Sequence, residues 1–428
     1  MDLLEEKCLV DNGEVILNKK AVYEPTKGQR FRQIVCSRGW AIGILLFMGS
    51  VMISIAVIAA FARPSSDSSP TQCSSSAQEK PSTSKTDTAI ATQKEPQTYI
   101  ATNGEPFPWK NLRLPRTVIP ESYGIFFHAN LTESNFIGNI HMSLKVVQDT
   151  DFIVFHSKDL NISNVKVFVS VSNSSGIPSF TQEVTVLKEL QYPRNEQYYL
   201  GLATHLQEST FVQVQVDFRG SLEGLTNMRG FYKSSYTING EERFIASTHF
   251  EASAARNAFP CFDEPDLKVT VTMSMVRDPK YITLFNTPLK RTAPHHGNLL
   301  VDEYEETVKM STYLVAFVIC DFKNISAKTK DGKMVRVFAS EDKINMGKVA
   351  LDATVALLEY YSTFFGTPYP LPKQDLIAIP NFAAGAMENW GLITFRERSL
   401  LYDPELSTAS AKVYIVSTVA HELAHQWF

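Results

Sequence analysis

"HELAHQWF", residues 421–428, follows the apolar run "SAKVYIVSTVA" from Ser410, and how these residues are read decides the fold. On a helix, His421 and His425 stand four residues apart and project from one face, so two imidazole nitrogens can meet one zinc ion at about 2.0–2.1 Å. Glu422 can reach a water at such a metal without ligating it. It would take the proton as the water attacks a peptide carbonyl, which is the work of a general base. Val416, Val419 and Ala420 suit a helix buried in an enzyme core, where dry surroundings strengthen electrostatics. The competing reading is a helix with two ordinary histidines. A catalytic zinc usually takes three protein ligands, and this stretch offers two.

Working outward, "QDLIAIPNF" from Gln374 and "LITFRE" from Leu392 read as strands flanking "GAMENWG", residues 385–391. Before them, Leu351, Val355, Leu358, Tyr361 and Phe365 recur at helical spacing and Gly366 ends the run, which predicts an amphipathic helix. Residues 322–428 therefore read as a mixed α/β domain. Gly385 and Ala386 carry little bulk, so an extended substrate can lie beside Gly385, Ala386, Met387, Glu388 and Asn389 and hydrogen-bond their backbone as an added strand. Glu388 would then face a positive group. A carboxylate in a partly desolvated cleft pairs well with an ammonium, and at a fixed distance from zinc it would measure from a free N-terminus. The plainer alternative is a glycine turn with a solvated glutamate. Glu251, in "THFEASAARNAFPCFDEP", is a second carboxylate for the same ammonium, whereas Asp263 and Glu264 read as turn or capping residues that anchor a β domain.

That β domain covers residues 106–321, where "NIHMSLKVV", "VKVFVSVS", "FVQVQVDF" and "VTVTMSM" alternate apolar and polar side chains. Residues 63–105 are rich in Ser, Thr, Pro and charge, too poor in large apolar groups to offset the entropy of folding, and read as a disordered stalk. Residues 40–62, WAIGILLFMGSVMISIAVIAAFA, carry no charge and are long enough to cross a bilayer as an uncleaved signal anchor. Lys19, Lys20, Lys27, Arg30, Arg32 and Arg38 precede the span, which makes residues 1–39 a cytoplasmic tail and predicts a single-pass type II membrane protein. Four N-x-[ST] sequons, at Asn130, Asn161, Asn173 and Asn324, all follow the span, as glycosylation requires. The net charge of -4 excludes nucleic acid as a partner, since binding it needs a clustered basic face. The five cysteines show no metal or disulfide spacing, although Cys73 in the stalk offers a thiol for a homodimer.

Taken together, G-A-M-E-N, H-E-L-A-H-Q-W-F and the upstream "AFPCFDEP" resemble the gluzincin zinc aminopeptidases, the membrane alanyl aminopeptidase family, most of all its leucyl-cystinyl and endoplasmic-reticulum group. The resemblance covers roughly Pro106 to Phe428, including "MSTYLVAFVICDF". It implies a saddle-like all-β domain followed by a thermolysin-like zinc peptidase domain. It further implies Zn2+ held by His421 and His425, base chemistry by Glu422, amine capture by Glu388 and Glu251, and backbone binding at Gly385 and Ala386. Two departures accompany it. His249 stands where close relatives usually have Gln, and the family's third ligand, a Glu nearly twenty residues past the second histidine, would fall beyond Phe428. The expectation is an N-terminal part of an aminopeptidase acting on peptides with a free N-terminus, which by itself binds zinc weakly and does not turn over. The alternative is a non-catalytic, truncated membrane glycoprotein that binds peptides or partner chains. An endopeptidase is disfavoured, because Glu388 and Glu251 would face an internal substrate segment with uncompensated charge.

Overall fold

The computed structural model describes residues 10–11, 14–15, 99–171, 179–222 and 228–428. The chain divides into units of residues 1–91 and 92–428. In the first, Val10–Asp11 pairs antiparallel with Glu14–Val15. The expected span 40–62, nearly all of the stalk, and Asn173 lie outside the described residues. Among the described residues, no helix is long and apolar enough to cross a membrane.

The second unit is built in layers. Strand Phe211–Ser221 buries Val212, Val214, Val216 and Phe218 and turns the residues between them outward, as its alternation predicts. It lies between Asn135–Val146 and Asn161–Val171, antiparallel to both, in an eight-stranded sheet. One pair in that sheet is parallel, Thr270–Arg277 against Val118–Asn130. A three-stranded sheet of Thr150–His156, Gln197–Leu206 and Val186–Tyr192 adds Val154, Phe155 and Leu200 to the same core. Phe127 and Phe317 pack within it with ring centroids 4.8 Å apart.

A four-stranded sheet of Gly230–Ile238, Glu241–His249, Phe317–Cys320 and Ile282–Phe285 links this core to the next. Ala246, Phe285 and Phe317 enter the first core, while Ile245, Leu284 and Val318 enter a second. Neighbouring residues on a strand face opposite ways, so a sheet buried on both sides must be apolar in both sets. The second core is shared with a five-stranded sheet running in space Lys323–Lys328, Met334–Ala339, Lys373–Ile379, Leu392–Arg396, Ala386–Met387. Its three middle strands are parallel. Ile377 and Ile379 face the four-stranded sheet, and Leu376 and Ala378 face two helices, α1 (Lys348–Phe364) and α2 (Ala409–Ala424). This double burial is why "DLIAI" reads as an unbroken apolar run.

Asp263 and Glu264 are buried anchors, in keeping with their reading as structural residues. The Asp263 carboxylate accepts from Arg256 Nε at 2.9 Å and Thr312 Oγ1 at 2.6 Å. Glu264 accepts from the Leu114 N–H and Arg116, both at 2.7 Å. The Asp263 N–H donates to His156 Nδ1 at 3.2 Å. Burial, then the positive charges of Arg256 and Arg113, push the His156 imidazole down to about 3. Its unfolded value is about 6.5, so the unfolded chain takes up the proton first as pH falls. Stability from His156 is thus complete above pH 6.5 and is lost as pH drops through the interval down to 3, at up to about 1.4 kcal/mol per unit. His156→Asn retains an acceptor that does not titrate, so its urea midpoint should decline less between pH 6.5 and 5 than the parent's. Parallel declines would refute this account of His156.

Candidate active site

Thr408 caps α2, its hydroxyl accepting from the Ala411 N–H at 3.2 Å, so the helix starts one residue before the apolar run from Ser410. Ile415, Val419 and Leu423 form its buried stripe, with Glu422 buried beside them. Val416 and Ala420 are only half-buried and Val413 is exposed, so α2 is less enclosed than its apolar composition implies. The end of the helix is pinned by Trp427, whose Nε1 donates to Thr367 O at 2.9 Å, and by Tyr361, whose hydroxyl donates to Ala420 O at 3.1 Å. His421 and His425 lie on the exposed side with their Nε2 atoms 3.2 Å apart. Two nitrogens ligating one tetrahedral zinc stand roughly 3.3 Å apart, so the spacing of the pair suits the ion. Glu422 Oε2 is buried without a hydrogen-bond partner. Burial, followed by the charges of Glu388 and Glu251, pushes the Glu422 carboxyl up to about 8. Among the described residues, no group of three His, Cys, Asp or Glu side chains is placed to hold a metal.

The strand Ala386–Met387 is the outermost of the five-stranded sheet, antiparallel to Leu392–Arg396 with Met387 opposite Thr394. Among the described residues, no further strand pairs with its outer edge. Alternation divides the segment: Ala386 and Glu388 are half-exposed, while Met387 lies in the second apolar core and Asn389 accepts from Thr394 Oγ1 at 3.2 Å. The Met387 and Asn389 side chains therefore turn inward, leaving their backbone as what they can offer a substrate. The two glycines have different causes. A Cβ on Gly391 (φ +82°) would lie 2.3 Å from Asn286 O, whereas one on Gly385 would meet only Tyr414 Oη at 3.6 Å and Ser399 Oγ at 3.8 Å. Gly391→Ala should destabilise by about 2–4 kcal/mol, and Gly385→Ala by under about 1 kcal/mol, in urea denaturation. Similar losses from both would contradict this distinction.

Glu251, exposed just past strand Glu241–His249, and Glu388 both lie within electrostatic reach of Glu422 and of the Tyr313 phenol. Beneath them His249 is buried, its ring 4.8 Å from that of Phe382 and its Nδ1 3.2 Å from Met228 O. Burial holds the His249 imidazole below its ordinary value, partly countered by the Met228 carbonyl and the Glu388 charge.

The sequence that builds this geometry has relatives among known proteins. The chain matches the Peptidase M1 N-terminal domain over residues 119–314 and the Peptidase family M1 domain over residues 349–428. The chain belongs to peptidase family M1. Endoplasmic reticulum aminopeptidase 2 of Homo sapiens is 47% identical over 330 residues, covering 77% of this chain and 34% of that protein. Endoplasmic reticulum aminopeptidase 1 of Rattus norvegicus is 47% identical over 329 residues, with 77% and 34% covered. Aminopeptidase N of Canis lupus familiaris is 37% identical over 334 residues, with 75% and 33% covered. The chain spans about a third of the length of these curated relatives.

Two residues of this M1 site had no local signal in the sequence. Tyr313 sits in a half-buried turn and comes within electrostatic reach of Glu388 and Glu251 only through the fold. Gln426 Nε2 donates to the Glu388 carbonyl at 3.0 Å, and reading H-E-x-x-H for its ligands passes over it. Of the sequons, Asn161 and Asn324 are exposed, and the Asn130 side-chain oxygen accepts from the Thr132 N–H at 3.0 Å. Cys261 and Cys320 are buried free thiols.

Proposed function

We propose that the protein is a zinc metallo-aminopeptidase that removes N-terminal residues from peptides with a free amine. The observation that carries this reading is that Glu422, on the helix of two imidazoles 3.2 Å apart, lies within electrostatic reach of both Glu388 and Glu251. The aminopeptidase names of its M1 relatives support it. His421 and His425 would hold the metal. When bound, zinc supplies Lewis acidity that activates water and polarises the peptide carbonyl. Glu388 and Glu251 receive the substrate ammonium, and the open edge at Gly385 and Ala386 pairs with its backbone. Glu422 Oε2, buried and without a partner, takes the proton from the attacking water and passes it toward the leaving amine. Mass spectrometry of products should show residues leaving singly from the N-terminus. Internal cleavage would overturn the proposal in favour of an endopeptidase.

A second reading, a membrane glycoprotein that binds peptides or partner chains without cleaving them, is favoured by there being, among the described residues, no third His, Cys, Asp or Glu placed with the two imidazoles to hold a metal. Two imidazoles hold zinc less firmly than three ligands do. Chelator competition on this polypeptide should therefore find weak zinc binding with little turnover, and tight stoichiometric zinc would reject the second reading. The type II anchor at residues 40–62, glycans on the four sequons, and a Cys73-linked homodimer belong to this proposal in either form. Glycosidase shifts and non-reducing electrophoresis test the last two.

A further inference from the structure

Glu388 must stand at a set distance from the imidazole pair if the site is to count residues from a free amine. The two lie on different elements, the outermost strand of a sheet and a helix packed on that sheet. The far end of the Glu388 segment is held from elsewhere. Asn286 Nδ2 donates to Trp390 O at 2.9 Å, and the buried Lys373 ammonium donates to Gly391 O at 2.8 Å. At the near end, the buried Gln426 amide donates from Nε2 to the Glu388 carbonyl at 3.0 Å and lies 3.3 Å from the Glu422 carbonyl. Gln426 follows His425 directly, so one side chain joins the helix bearing both imidazoles to the backbone of the amine-binding glutamate.

We infer that Gln426 is a positioning residue, setting the separation between the imidazole pair and Glu388 and thereby the seat of the substrate's amino group. This rests on the amine pocket proposed above. The Glu388 side chain is half-exposed, while its backbone carbonyl is held by Gln426. A displacement of about 1 Å is enough to spoil a near-attack geometry. Removing the donor leaves the Glu388 carbonyl without this partner and loosens the strand, while both histidines stay on an intact helix.

The test compares the parent with Gln426→Met, which conserves size and removes the donor, and Gln426→Asn, which retains an amide but falls one methylene short. Leucinamide binding to the metal-free protein is measured by calorimetry with N-acetyl-leucinamide as control, zinc affinity by chelator competition, and amide hydrogen exchange by segment. Both variants should bind leucinamide about tenfold more weakly and hold zinc within about twofold of the parent, with faster exchange over residues 385–389 and none added in α1. Equal leucinamide affinity would overturn the inference, as would a parallel loss of zinc binding, leucinamide binding and α1 protection. If Gln426→Met does not fold, Gln426→Asn decides by the same criteria. Glu388→Gln, measured alongside, separates the two claims. If it leaves leucinamide binding intact, the amine pocket falls and this inference with it. If it weakens binding while the Gln426 variants do not, the inference alone falls.

Discussion

Glu422→Gln is expected to slow peptide hydrolysis about 100- to 10,000-fold and, in the metal-free protein, to raise stability by about 1–3 kcal/mol. The first effect follows from removing the proton acceptor while retaining side-chain size. The second follows from the surroundings of Glu422: a buried oxygen without a partner, in reach of the Glu388 and Glu251 charges. With its carboxyl raised to about 8, the folded protein must take up a proton that the unfolded chain has released above about pH 4.5, which costs the fold free energy at neutral pH, and a neutral amide avoids that cost. Gain in stability with loss of turnover is the pattern of a site maintained for chemistry, whereas a structural glutamate would lose stability on the same change. Zinc affinity should change little, since the buried Glu422 does not share the exposed face of α2 on which the two histidines proposed as ligands lie. Unchanged hydrolysis would remove Glu422 from the role of base, and a lower thermal midpoint would show its carboxylate to be satisfied.

Much of this arrangement is legible in the sequence because local rules generate it. "FVQVQVDF" alternates because one face of its strand is core, and residues 348–364 form a helix where Leu351 and Leu358 recur at its period. His421 and His425 face the same way because four residues bring a helix back to one side. Relations made across long loops are different in kind. Nothing near Thr270–Arg277 announces a parallel partner about 150 residues earlier, since pairing direction depends on the chain's path between strands. The same limit hid Tyr313 and Gln426, ordinary residues locally that acquire partners when the four-stranded sheet and α2 close on the Ala386–Met387 edge. Met387 and Asn389 mark the reverse error. A motif read as a block overlooks the two-residue period that points alternate side chains away from the cleft.

The same period predicts an unequal response from the two carboxylates assigned to the substrate amine. Glu388 is half-buried on a strand whose ends are held by Gln426, Asn286 and Lys373, so its ion pair with an ammonium forms in a fixed, partly dry setting. Glu251 is exposed, and water screens its attraction. Glu388→Gln should weaken binding of a free-amine dipeptide by about 1.5–3 kcal/mol, roughly ten- to more than a hundredfold, whereas Glu251→Gln should cost less than about 1 kcal/mol. Neither change should weaken an N-acetylated dipeptide, which brings no positive charge. In the parent, the acetylated peptide should already bind and be cleaved far less well, because its amide offers no positive charge to the half-buried Glu388 carboxylate. Should free and acetylated peptides be treated alike, or Glu251 outweigh Glu388, the ammonium is not held where the Ala386–Met387 edge directs it, and counting from the N-terminus loses its physical basis.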